Sequence, residues 1–429
     1  MKKLFLFITL ILILISGSSP INAQNLNIHA RAYILIDSKT GQVLREYNSN
    51  AVLHPASTTK IMTGILAIEY GDLDSIVTVS QSAINNIGTG GMHIGLLPGE
   101  QLELRHILNA LLIRSANEAC YVVAENISDT HQEFFDLMNQ RAKELGAVNT
   151  NFVNPSGMDN TSNGHLHVTS ASDLAIMARH AMTLPEFREV VAKTSYTIPP
   201  TNMHENEILL PASNRLLFSS HRSEYYTATG IKTGYTNRAL SNLVSSGIND
   251  DGMELIAVVM GVEKYDQVFH HSKRLLEYGF KNYSMRSIIA QNSYIATVKV
   301  DGASGNHNLD LLAADSFMCA LPNGMKLNEL TFEKVINDNI TAPVYKGDVL
   351  GYVEIKNNDY HLGKVDLVAT RSVPKFIPVE DISSIVLNPL TDPLLKRVLI
   401  GTSIFFFMFL LLRRTLRKIS RTRLSRNKL

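Results

Sequence analysis

From Val398 to Leu412 only Gly401, Thr402 and Ser403 interrupt an otherwise apolar run. Wound as a helix, that run is apolar on every side, and a helix lying in a membrane interface would need one polar face. Lys396 and Arg397 precede it and Arg413 and Arg414 follow, flanks that a helix in a soluble core would not carry. Fifteen helical residues rise only ~22 Å against a hydrocarbon core of ~30 Å. The basic flanks extend the reach by snorkelling toward the headgroups. Beyond them Arg417, Lys418, Arg421, Arg423, Arg426 and Lys428 stand without an acidic residue, which sets the tail, residues 415–429, on the cytoplasmic side. A single membrane anchor at 396–414 is expected, with the chain before it outside.

The N-terminus supports the same compartment. Lys2-Lys3, an apolar run from Leu4 to Ile15 and a small residue, Ala23, ahead of Gln24 describe a signal peptide over residues 1–23. Setting aside the two leader lysines and the ten basic residues from Lys396 onward leaves 28 basic against 39 acidic residues, a formal charge of −11. An ectodomain that acidic lacks the basic face nucleic acid requires. Two cysteines, Cys120 and Cys319, are too few for a disulfide framework, and Cys120 is expected as a small buried hydrophobe.

Along the ectodomain, Arg31–Ile36 and Gln42–Tyr47 read as a hairpin around Asp37–Gly41. A helix follows Pro55 and stops at Gly71, residues 102–127 are mostly helical, another helix ends at Gly146, and Ser170–Asp173 opens one more as a capping box. From Ser241 strands take over around the Asn249–Gly252 turn, closed by a helix at Arg274–Phe280. Short strands with Gly and Asn turns from Met285 to Val373 suggest a small all-β module, and the proline-bearing stretch 374–395 a linker.

Within this frame stand Ser57-Thr58-Thr59-Lys60, Ser115-Ala116-Asn117 and Lys232-Thr233-Gly234. On a helix, residues three apart share a face, so the Lys60 amine can reach the Ser57 hydroxyl. Serine needs a neighbour to take its proton, and lysine serves once burial or a second cation, such as Lys232, lowers its pKa. Ser115 and Asn117 are expected to open a helix and point out of its first turn: a hydroxyl to relay a proton to a leaving amine, an amide to hold a substrate carbonyl. On an edge strand, Gly234 would leave room for a substrate backbone, Lys232 and Thr233 would take up a carboxylate, and the N–H groups of Ser57 and Tyr235 would receive an oxyanion. Each pattern recurs where it can do nothing: Lys39–Gly41 in a turn, Ser372–Lys375 across a proline, Ser425–Lys428 in the basic tail, Ser304–Asn306 among β turns. His165 and His167 form a His-x-His with no third ligand at metal spacing, so no metal or other cofactor is expected.

With these motifs in order, the chain resembles the low-molecular-mass penicillin-binding proteins, serine-type D-alanyl-D-alanine carboxypeptidases, which carry the Ser-x-x-Lys, Ser-x-Asn and Lys-Thr-Gly set. Ala32–Asp37, His54–Lys60, Leu112–Glu118, Asn151–Gly157 and Gly230–Thr236 also read as signatures of that family. The resemblance covers roughly residues 28–373. It implies an α+β fold: a β-lactamase/transpeptidase-like catalytic domain over 24–284, an antiparallel sheet flanked by helices plus a helical lobe, then an all-β domain over 285–373. It implies that Ser57 forms an acyl-enzyme, Lys60 takes its proton, Ser115 and Asn117 line the site, and Lys232 with Thr233 holds the carboxylate. The substrate would be a peptidoglycan stem peptide ending in D-Ala-D-Ala, β-lactams would inhibit, and the enzyme would act outside a bacterial cell membrane. Tyr235 stands where relatives often carry His or Phe. A class A β-lactamase would need a Glu-x-x-Leu-Asn segment that the chain lacks; an endopeptidase or transpeptidase of the same superfamily, or a catalytically silent wall-binding protein, stays open.

Overall fold

The computed structural model describes residues 26–159, 161–162, 165–358, 360–378 and 393–426. The signal peptide read at 1–23 and most of the linker read at 374–395 lie outside them. Two compact units are formed. One runs to Ile289 and takes in Ser316–Glu333 and Glu354–Lys364; the other holds Ala290–Asp315, Lys334–Val353 and the chain from Val365 onward. The first unit thus extends past the boundary read at residue 284.

The first unit is built on a five-stranded antiparallel sheet. The hairpin strands β1 (Ala32–Asp37) and β2 (Val43–Tyr47) join β3 (Thr227–Thr236), β4 (Leu240–Ile248) and β5 (Glu254–Val262) in the order β2-β1-β5-β4-β3. Lys39-Thr40-Gly41 is the hairpin turn: the Thr40 N–H and hydroxyl both donate to Asp37 Oδ1 at 2.7 Å, and Gly41 takes a φ of 78°. Strand alternation then sorts the core into two layers. Ile34, Ile36, Val258 and Met260 pack with the helical lobe, made largely of α1 (Lys60–Tyr70), α2 (Asn117–Ile127), α3 (His131–Leu145) and α4 (Ala171–Ala181). Tyr33, Leu35, Ala257 and Val259 pack instead with Val268, Phe269 and Leu275 of α5 (Tyr265–Asn282). A sheet covered on both faces needs strands that are apolar throughout, which is why Leu255–Val262 is an unbroken apolar run. Each fully buried Val, Leu or Ile contributes about 1.5–3 kcal/mol.

Local signals set the helix ends. Thr130 and Glu133 close a full capping box on α3, and Gly146 ends it at a φ of 95°. At α4 only half of the expected box forms. Ser170 accepts from the Asp173 N–H, but the Asp173 carboxylate accepts instead from the Asn149 N–H at 2.6 Å and the Thr150 hydroxyl at 2.7 Å. Helix α5 starts nine residues before Arg274, because its buried face already begins at Val268 and Phe269.

From Tyr283 to Ala369 the all-β reading holds apart from a 3-10 turn at Leu327–Glu329, with Tyr283–Ile289 and Phe317–Pro322 belonging to the first unit. The strands here are β6 (Tyr283–Ile289), β7 (Tyr294–Lys299), β8 (Asn308–Ala313), β9 (Phe317–Pro322), β10 (Leu330–Ile336), β11 (Val349–Asn357) and β12 (Tyr360–Ala369). Five of them form one sheet ordered β7-β8-β12-β11-β10, while β6 pairs with β9. Helix α6 (Pro393–Arg426) carries a 20-residue stretch, Lys396–Thr415, of mean hydropathy 1.7, with none of that window buried.

Candidate active site

Ser57 lies on a 3-10 turn, Ala56–Thr59, that feeds directly into α1. The turn enters through Ala56 at a φ of +50°, a left-handed conformation that costs a side-chain-bearing residue roughly 1–2 kcal/mol. Its neighbours hold it there. The Thr58 hydroxyl donates to Pro55 O at 2.7 Å and the Thr59 hydroxyl to Ala56 O at 2.8 Å. From β4, Asn242 Nδ2 donates to both His54 O and Pro55 O at 2.9 Å, while its Oδ1 accepts from the Gly261 N–H at 2.8 Å. Gly157 lies so close beneath that a Cβ there would fall 1.8 Å from Ala56 O.

His167 completes the clamp. The Val153 N–H donates to its Nδ1 at 3.1 Å, so Nε2 carries the ring proton and donates to Thr59 Oγ1 at 2.7 Å. Burial above all, with the charges of His54 and Lys60 behind it, pushes its pKa down to about 3. Both ring nitrogens are therefore engaged in holding the turn. The side chain of His165, its partner in the His-x-His, lies outside the described residues.

Lys60 is fully buried directly beneath the nucleophile. Its Nζ lies 3.0 Å from Ser57 Oγ, 2.8 Å from Asn117 Oδ1 and 2.7 Å from the Ser156 carbonyl. Burial lowers its pKa, against the opposing pull of Cys120 and Glu118. In the free-amine form the two N–H bonds satisfy Asn117 and Ser156, and the lone pair faces the Ser57 hydroxyl. The segment Asn151–Gly157 thus supplies a carbonyl that the sequence alone did not reveal.

Ser115 differs from expectation. Residues Ala110–Arg114 form a π-type turn, and Ser115 ends it in the left-handed region at a φ of 68°; α2 begins only at Asn117. Ser115 therefore sits on a break between two helical segments, and its backbone reversal turns it toward the cleft beside Ser57. Asn117 is committed at both ends, with Oδ1 accepting from Lys60 and Nδ2 donating to Ile87 O at 2.8 Å. Its N–H donates to Met92 O at 2.8 Å and the Glu118 carboxylate accepts from the Ile94 N–H at 2.7 Å, so the start of α2 pins the glycine-rich loop that walls the cleft.

Strand β3 is the sheet edge the sequence suggested, hydrogen-bonded only to β4. A Cβ on Gly234 would lie 2.9 Å from Pro55 O and 3.0 Å from the N–H nitrogens of Ser57 and Thr58. Only glycine lets this strand approach the nucleophile's backbone so closely. Lys232, on the same side of the strand, is buried with it. Its Nζ donates to Thr233 O at 3.0 Å, and burial first, then repulsion from Lys60, hold its pKa well below the ordinary lysine range. Its ammonium does not line the cleft, whereas Thr233, Gly234 and Tyr235 do.

These residues surround a cleft of about 350 Å³ whose walls also include Arg114, Met158 and Tyr265. Arg114 and Tyr265 escaped the motif reading, because neither belongs to a recurring spacing. A larger cleft, about 680 Å³, holds none of the expected site residues; Arg188 on its wall is paired with Glu254 at 2.7 Å, and Arg179 donates to Ser38 O and Lys39 O. Cys120 is buried behind the site, with its thiol pushed up to about 11 by burial.

Comparison with known proteins gives a consistent answer. A family model described as D-alanyl-D-alanine carboxypeptidase matches residues 19–264, and one described as penicillin-binding protein 5, C-terminal domain, matches residues 283–375. The chain is 32% identical over 351 residues to D-alanyl-D-alanine carboxypeptidase DacF of Bacillus subtilis, covering 81% of this chain and 86% of the relative. With DacC of Escherichia coli the identity is 30% over 357 residues, covering 81% and 85%. Penicillin binding protein 5 from Haemophilus influenzae, a solved structure, matches with a TM-score of 0.66 at 28% identity, over 84% of this chain and 100% of that one.

Proposed function

Since the chain belongs to the D-alanyl-D-alanine carboxypeptidase family, we propose that it removes the terminal D-alanine of peptidoglycan stem peptides through an ester on Ser57. The observation that carries this assignment is the Ser57–Lys60–Asn117–Ser156 arrangement, in which a buried amine has its N–H bonds spoken for and its lone pair on the serine hydroxyl. Lys60 takes the Ser57 proton as Oγ attacks the carbonyl of the penultimate D-alanine. Base assistance of this kind is worth ~10²–10⁴-fold. The oxyanion forms between the N–H groups of Ser57 and Tyr235, brought together by the missing side chain at Gly234. The C–N bond breaks as the leaving D-alanine amine takes a proton relayed through Ser115, and water then cleaves the ester. Thr233, on the cleft wall, offers its hydroxyl to the substrate. A β-lactam presents the same carbonyl and acylates the same serine.

No acidic residue lines the cleft among the described residues, which favours this reading over a β-lactamase with a carboxylate-activated water. We also assign residues 1–23 to an export signal, 24–284 to the catalytic domain, 285–373 to the β domain and 396–414 to a membrane span. The Lys396–Thr415 stretch supports the last of these; its helical rise of ~30 Å equals the hydrocarbon thickness. Incubating the purified protein with a pentapeptide ending in D-Ala-D-Ala should release D-alanine, and Ser57→Ala should release none. Release by the variant at the wild-type rate would refute the assignment.

A further inference from the structure

The substrate that this reading assigns ends in a carboxylate, yet the cation expected to receive it, Lys232, is buried, donates to the Thr233 carbonyl and does not face the cleft. One charged side chain does line the cleft: Arg114. It ends the π-type turn immediately before Ser115, and the Ser213 N–H and hydroxyl brace the preceding Ile113 carbonyl at 3.1 and 3.2 Å. No ion pair among the described residues includes Arg114. Arg215, also close by, is committed already: it pairs with Asp266 at 2.7 Å and its guanidinium stacks 5.5 Å over the rings of Tyr265 and Phe269.

Thr233 and Tyr265 line the same cleft, and Tyr265, beside Arg215, also feels the positive charge of Arg114. A guanidinium and two hydroxyls therefore line the same cleft as the nucleophile. A half-buried guanidinium without a counter-ion is poorly solvated, and a planar carboxylate fits its fork through two parallel hydrogen bonds.

We propose that Arg114, with the Thr233 and Tyr265 hydroxyls of the same cleft, is the anchor for the C-terminal carboxylate of the stem peptide, and so sets the preference for cleavage at a free chain end. The proposal rests on the peptidase reading above, and the test separates the two. D-alanine (or D-alaninamide) release is measured with two substrates, an acetylated Lys-D-Ala-D-Ala tripeptide and its C-terminal amide, and the ratio of their kcat/KM values is the readout. A hydrogen-bonded charge pair is worth about 1.5–3 kcal/mol, or ~10–10²-fold. Arg114→Gln should lower the acid-over-amide ratio by ~10–10²-fold, and Arg114→Lys, which keeps the charge without the fork, should retain part of it. A ratio unchanged in Arg114→Gln overturns the anchor while leaving the peptidase intact. Failure of the wild type to cleave either peptide overturns the peptidase reading, and the anchor with it.

Discussion

The amine of Lys60 has three neighbours and, as a free base, two protons to give them. Protonation would place a third N–H against Ser57 Oγ and remove the lone pair that accepts its proton. Because burial lowers the Lys60 pKa, the reactive form is available at lower pH than an ordinary lysine would allow. Acylation should therefore rise with pH through that lowered pKa and fade below it, which pre-steady-state penicillin acylation across pH measures directly. Lys60→Arg keeps the charge but cannot supply a free base, and should slow acylation by at least ~10²-fold. His167 gives a second, independent pH signature. Its folded pKa of about 3 lies below the ordinary 6.5, so the unfolded chain binds the extra proton in that window. Its contribution is complete above pH 6.5 and shrinks as pH falls toward 3, at about 1.4 kcal/mol per pH unit where only the unfolded state is protonated. Equilibrium unfolding from pH 7 to 4 should show the loss, and His167→Gln should flatten it.

Turn and strand meet at the catalytic centre through Gly234 and Asn242. Gly234→Val would drive a side chain into the Ser57 turn, and displacing one oxyanion donor should lower acylation ~10²-fold. Asn242→Ala removes three buried hydrogen bonds; urea unfolding should show a loss of about 1–3 kcal/mol. The hairpin, the edge strand and most helices were legible in the sequence, since each rests on a local signal: Gly41 and Gly146 with positive φ, Pro55 ahead of a helix, apolar runs that both faces bury. What escaped depends on neighbours distant in sequence. The left-handed break at Ser115 follows from a π-type turn that apolar periodicity does not encode. Likewise, Ser156 meets Lys60 through a backbone carbonyl, Asn242 is one of four polar residues in its strand, and Arg114 gains its meaning only from the cleft it shares with Ser57 and Thr233.

For the whole chain, two opposite charge regimes stand on either side of one apolar stretch: residues 24–395 at a formal −11 and a tail of basic residues. That asymmetry, with the helix Pro393–Arg426, supports an enzyme tethered at the outer face of the membrane. Ending the chain at residue 392 should move the protein from the membrane pellet to the soluble fraction with D-alanine release from a free pentapeptide retained; a truncated chain that still sediments with membranes would contradict the anchor. The central claim, a covalent ester on one serine, has the most direct measurement of all. The full chain is labelled with penicillin, digested and mapped by mass spectrometry. The adduct should fall on the peptide bearing Ser57 and vanish in Ser57→Ala, whereas an adduct on Ser115 or Thr233, or none at all, would contradict the account.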